Sequence, residues 1–255
     1  MPVHPALRLF LLTLALLGLS LPSGLHASPA GPCGVPPADT LVKSLVRQAP
    51  GLKEDVLRLA LTAKTCARQR GLVKRDDIIT VIDYSIPSDE PRLFTFDLST
   101  KKLVFRELVA HGKNSGGNLA TAFSNVEGSL ATSLGLFATA GTYMGSNGYS
   151  LRLRGLERGV NDNAWQRAIV MHGAPYVNRG VIRSIGRLGR SWGCPAVRSD
   201  ISKAMIDRIK GGSAIFAYYP DHDWLATSAF VGAATRMAQN KGGSAGGSET
   251  ATVRR

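Results

Sequence analysis

The strongest constraint on this chain's fold is a change of residue period at Asp77. Upstream, two stretches carry helical spacing. One is expected from Asp39 to Gln48, with Asp39 as N-cap and Pro50-Gly51 as the stop. The other runs from Leu52 to Arg70, where Val56, Leu59, Ala60 and Ala63 share a face and Gly71 ends the run. Downstream the apolar residues gather in short strand-like runs: "IITVIDYS", "RLFTFDL", "KLVFRELVA", "LGLFATA", "YSLRLRG", "AIVMHG" and "AIFAYY". In the second, Phe94, Phe96 and Leu98 alternate with Thr95 and Asp97. Gly/Asn/Ser-rich loops join them, which favours a mainly β sandwich or barrel over a doubly wound sheet. A helix is expected from Asp200 to Lys210, stopped by Gly211-Gly212.

The two ends read differently. Arg8 precedes "LFLLTLALLGLSL", an apolar run too short to span a bilayer comfortably and broken at Pro22. Residues 1–27 therefore read as a secretory signal, cleaved after Ala27, leaving no stable membrane span. Residues 28–76 form a Pro/Gly-rich linker and helical preface, and 77–231 the main domain. The Gly/Ser-rich segment 232–255 lacks the apolar content to fold and is expected to be disordered. Export to a periplasm or cell envelope follows.

Export bears on the cysteines. Outside the cytoplasm Cys33 and Cys66 are candidates for a disulfide, leaving Cys194 single. It bears on charge too. At net charge +13 the chain is drawn to anionic polymers. Its Lys and Arg are dispersed, with no reading helix and no aromatic RNA motif, so no nucleic-acid partner is expected. An anionic cell envelope fits better.

Cys194 stands in "GRSWGCPAVRSD". Thiol catalysis needs a base, an orienter of that base and donors for an oxyanion. His172, at the end of "AIVMHGA", is the candidate base, and an imidazole beside a thiol stabilises a thiolate ion pair. The carbonyl of Gly173 is placed to fix its tautomer. Gly193 permits a tight turn in which its N–H and that of Cys194 face an oxyanion. Ser191 belongs to the same loop. Trp192 reads as a cleft wall or as core packing. Arg190 reads as a carboxylate clamp or as surface charge. His111, in "VAHGKNSG", reads as a substrate contact, a support for the site, or a hydrogen-bonded turn residue. No paired zinc-ligand motif is present, and neither metal nor cofactor is expected. A papain-like order would place cysteine before histidine.

"IVMHGA" followed by "RSWGCPAV" resembles the murein L,D-transpeptidase catalytic domain, the YkuD-like family, in a subgroup with Trp in the signature. "FSNVEGSLATSLGLF", "GYSLRLRGLE" and "IFAYYPDHDWL" extend the resemblance over about Ile78 to Phe230. It implies a YkuD-like β-sandwich/barrel, Cys194 as nucleophile, His172 as base and the Gly173 carbonyl as orienter. Ser191, Trp192 and Gly193 become the signature loop, and "TSLGLF", with Ser133, shapes the substrate cleft. The implied substrate is a peptidoglycan stem peptide, joined into 3-3 crosslinks through a Cys thioester. Water as acceptor would give an L,D-carboxypeptidase, and loss of chemistry a wall-binding protein. Carbapenem acylation is also implied. Trp192 replaces the histidine of the wider family, and Pro195-Ala196 stand where that family often has a polar residue. Both departures bear on substrate preference.

Overall fold

The computed structural model describes Cys33 and residues 36–236. The expected signal peptide and most of the expected tail lie outside the described residues. Residues 232–236, assigned to that tail from sequence, are helical.

Helices α1 (Asp39–Val46) and α2 (Glu54–Gln69) come first. Asp39 begins α1 from inside its first turn, where its charge suits the helix dipole, and Ala38 takes the cap position. The helices lean on the sheet: Val42, Leu45, Val56, Leu57, Ala60 and Leu61 are buried in the same core as β1 (Ile78–Asp83). Each buried Val or Leu contributes about 1.5–3 kcal/mol over exposure. The preface is thus part of the domain and not a separate module. The disulfide between Cys33 and Cys66 ties the chain ahead of α1 to α2, with Cα atoms 4.8 Å apart, and Cys194 stays free.

The strands β2 (Leu93–Asp97), β3 (Lys102–Glu107), β4 (Gly135–Gly145), β5 (Gly148–Gly155), β6 (Val170–Ala174), β7 (Ala196–Arg198) and β8 (Ala214–Tyr218) join β1 in one eight-stranded sheet, ordered β3-β2-β1-β8-β4-β5-β6-β7. Helices α3 (Arg179–Ile185), α4 (Ser199–Ile209) and α5 (His222–Thr227) complete the described elements. The pairs β1/β8 and β6/β7 are parallel, the other pairs antiparallel.

The sheet bends back on itself. Ala110, just beyond edge strand β3, bridges to Ala196 of the opposite edge strand β7. Arg198 of β7 grips Glu107 of β3 with two bonds, of 3.0 and 3.2 Å. Closure of this kind makes the molecule barrel-like and covers sheet edges that would otherwise template aggregation.

Strand β2 departs from its sequence pattern. All five residues are buried, the polar ones included. Thr95 hydrogen-bonds Thr80 across the β1/β2 pair, and Asp97 accepts from Ser99, Thr100 and Arg208. Both faces of this strand are covered, so alternation in sequence marks polar partners here and not solvent.

Candidate active site

The parallel pair β6/β7 builds the site. His172 lies opposite Ala196, two residues past Cys194. The Cys194 sulfur, half-buried, accepts the Val170 N–H at 3.4 Å and lies 3.8 Å from the Ala168 carbonyl. Ala168 adopts φ +52, a left-handed conformation costly for a residue with a Cβ. Val170 and His172 are two residues apart on one strand, about 6.6 Å. Imidazole and thiol therefore occupy one corner of the sheet, and no hydrogen bond joins them among the described residues.

His172 is buried, and its Nδ1 lies 3.0 Å from the Gly173 carbonyl. A carbonyl only accepts, so Nδ1 carries the proton and Nε2 is left as a base. Burial holds the imidazole pKa below its ordinary value, against the opposing Gly173 bond. Burial likewise pushes the Cys194 thiol up, against the Val170 N–H and the Arg167 charge. Both shifts favour neutral partners. Neither shift favours the resting thiolate–imidazolium pair expected from sequence.

The loop before Cys194 is pinned on several sides. Ser191 accepts the Gly193 N–H at 3.2 Å and donates to the Cys194 carbonyl at 2.6 Å. Its backbone is zipped to the segment after β3, through Ser191 N–H to His111 carbonyl and Lys113 N–H to Ser191 carbonyl. Gly193 has φ +119, and an added Cβ would sit 2.8 Å from the Ala131 carbonyl, so only glycine fits. Thr132 ties the layers together, accepting the Gly112 N–H and donating to the Gly193 carbonyl.

This geometry amends the two-donor oxyanion site expected from sequence. The Gly193 N–H is already spent on Ser191. The Cys194 N–H makes no hydrogen bond among the described residues and remains available.

The residues expected at the substrate divide. Trp192 is 76 % exposed beside the thiol, which rules out its core-packing reading. Arg190 is half-buried. It spends Nε on the Gly116 carbonyl and Nη1 on Leu188 and Gly189, while Nη2 has no partner among the described residues. Burial and neighbouring Arg187 lower its pKa to about 10. Ser133, expected to meet substrate, is buried; its hydroxyl donates to the Ser124 carbonyl and accepts from Arg167. His111, also expected there, is fully buried. Its Nδ1 accepts from Arg92 at 2.6 Å and its Nε2 faces the Gly116 carbonyl at 3.3 Å. Burial, then Arg92 and Arg190, drive its pKa down to about 3. Its ring is hydrogen-bonded within its own loop, as the turn reading has it, and its backbone carbonyl supports the site loop through Ser191. Substrate contact by His111 or Ser133 is corrected by this burial.

Sequence reasoning missed Arg167. Its guanidinium reaches across the loop to the Ala131 and Ser124 carbonyls and the hydroxyls of Ser129 and Ser133. It makes no ion pair with any described carboxylate, so its charge is free to favour the thiolate. In "WQRAIV" nothing distinguishes this arginine from surface charge; only the fold brings it beside Gly193. Arg167→Gln should raise the thiol pKa and slow alkylation at neutral pH by about tenfold, with Arg167→Lys intermediate. Iodoacetamide alkylation followed by intact mass across pH measures this. Coincident pH profiles for the two variants and the parent would remove the charge from the account.

Among the described residues, no group of three or more His, Cys, Asp or Glu converges to hold a metal, and no helix is long and apolar enough to cross a membrane.

A search of curated proteins finds no matching sequence. Solved structures give distant likenesses. An L,D-transpeptidase from Mycobacterium smegmatis is 13% identical with a TM-score of 0.35, covering 56% of this chain and 59% of that one. The L,D-transpeptidase LdtMt1 in complex with imipenem is 17% identical with a TM-score of 0.34, over 56% and 59%. An L,D-transpeptidase from Stackebrandtia nassauensis is 13% identical with a TM-score of 0.35, over 70% and 89%. This chain thus spans under two thirds of the length of the first two. A family model of the L,D-transpeptidase catalytic domain matches residues 48–218, more than half of the chain, and begins inside the helical preface. The protein therefore belongs to the L,D-transpeptidase catalytic-domain family.

Proposed function

We propose that this protein is an exported cell-envelope enzyme that transfers peptidoglycan stem peptides through a thioester on Cys194. The observation that carries this reading is a free, half-buried thiol at the same sheet corner as an imidazole with a fixed tautomer.

The neutral pair defines the sequence of events. His172 Nε2 removes the thiol proton as sulfur approaches the carbonyl carbon of the third, L-configured residue of a donor stem. The new C–S bond places negative charge on the carbonyl oxygen, for which the unspent Cys194 N–H is the available donor. Collapse breaks the C–N bond to terminal D-Ala, whose amine takes the proton from the imidazolium. The thioester is then opened by a side-chain amine of a second stem, giving a 3-3 crosslink. His172 accepts that amine's proton and returns it to sulfur. Arg190, with an unspent buried N–H, is suited to a stem carboxylate, and exposed Trp192 offers a flat wall beside the reacting centre.

The test is a product analysis of the purified protein with a disaccharide-tetrapeptide. Free D-Ala with a crosslinked dimer is the expected result. D-Ala with tripeptide alone would assign water as the acceptor. Absence of D-Ala release, with retained binding to sacculi, would leave a wall-binding protein. The strained β-lactam carbonyl of a carbapenem is expected to acylate the same thiol.

A further inference from the structure

A cavity lies beside β5, two of whose arginines share the sheet face that carries His172. Alternate residues of a strand share a face, so Arg152 and Arg154 of β5 lie on the face of Ser150, whose partner in β6 is His172. Strand β4 falters beside them. Its pairing with β8 ends at Ala138, and its pairing with β5 jumps from Thr139 to Thr142. Ala140 and Gly141 therefore have no ladder partner in either neighbour. The cavity, of about 570 Å³, opens over this bulge, floored by residues 138–141 and walled by Lys74, Arg154 and Trp165.

The chemistry of its walls is one-sided. Lys74 and Arg154 are exposed and make no ion pair among the described residues, and no Asp or Glu lines the cavity. Among the described residues Arg154 donates only to the Leu72 carbonyl. Trp165 is 49 % exposed, and the Arg152 guanidinium stacks between it and Tyr143, 5.3 and 4.4 Å from the ring centres. Unpaired cations call for carboxylates, and the indole supplies a flat apolar wall.

We propose that this groove binds a carboxylate-bearing peptide, namely a peptidoglycan stem other than the one that acylates Cys194. The choice of stem peptide rests on the function proposed above. The groove would hold the enzyme on the sacculus and leave the thiol free for the donor.

Two variants test this with little risk to the fold. An added Cβ at Gly141 meets nothing within 4 Å and the residue is outside the left-handed region, so Gly141→Phe plugs the groove without a backbone penalty. Lys74→Glu reverses one wall. In a Cys194→Ala background, calorimetric titration with disaccharide-tetrapeptide should show each variant weakening affinity by about fivefold or more. The same peptide with its carboxylates amidated should bind as weakly to the unplugged protein. With Cys194 present, neither variant should change the rate of imipenem acylation. Unchanged affinity in both variants, equal binding of the amidated peptide, or preferential binding of inorganic polyphosphate would each overturn the assignment. Failure of the parent protein to acylate would instead count against the proposed chemistry, and the titrations would still decide the groove.

Discussion

Cys194→Ala protein, incubated with a disaccharide-tetrapeptide, is expected to gain no covalent mass and to release no D-Ala above background. The drop should be on the order of 10⁴-fold or more, because no other group can take the acyl chain. The remaining cysteines, Cys33 and Cys66, are joined to each other. Folding should survive, since a half-buried thiol truncated by one atom costs about 1 kcal/mol or less. Intact mass, D-Ala quantification and a melting curve together make the measurement. Undiminished D-Ala release from a folded variant would end the thioester mechanism.

Removal of the base is the second large effect. His172→Gln should lower the acylation rate by on the order of 100-fold or more, the usual worth of a positioned general base. Its pH signature is more specific than its size. The base works only while Nε2 is unprotonated. Burial lowers the imidazole pKa, so activity should persist below the ordinary histidine value of about 6.5 and fall only as pH passes through the lowered value. On the alkaline side the raised thiol pKa keeps sulfur protonated through neutrality, so alkylation should still be climbing past the free-cysteine value of about 8.5 and level off only beyond it. In the variant the acidic limb should vanish while the alkaline one remains. An acidic limb unchanged by the substitution would transfer the role to another group.

The sequence made the architecture legible wherever one physical signal dominated. Helical spacing located α2 to within two residues at each end, and the Gly211-Gly212 stop located the end of α4. Strand runs of β-branched and aromatic residues marked seven of the eight strands. The exception, β7, is three residues long and follows a proline, too short to show any period. Closure of the sheet was invisible because Ala110 and Ala196 have no local reason to meet. The site followed the same division. A glycine–cysteine–proline turn and a strand-end histidine are local signals, and the fold brings them to one corner. The loss of the Gly193 donor, the burial of His111 and Ser133, and the approach of Arg167 depend on partners 2 to 38 residues away whose contacts no pattern encodes.

The bridge between Ala110 and Ala196 also bears on when the thiol reaches its place. The Cys194 loop borrows its restraints from chain 60 to 80 residues earlier: the carbonyl of His111 and the hydroxyl of Thr132. Contacts of that span are slow to form, because distant segments must first be brought together. The placement of the thiol against Val170 is then a property of the closed sheet, and a substitution that loosens the seam far from sulfur would displace it while leaving every reacting group in the chain.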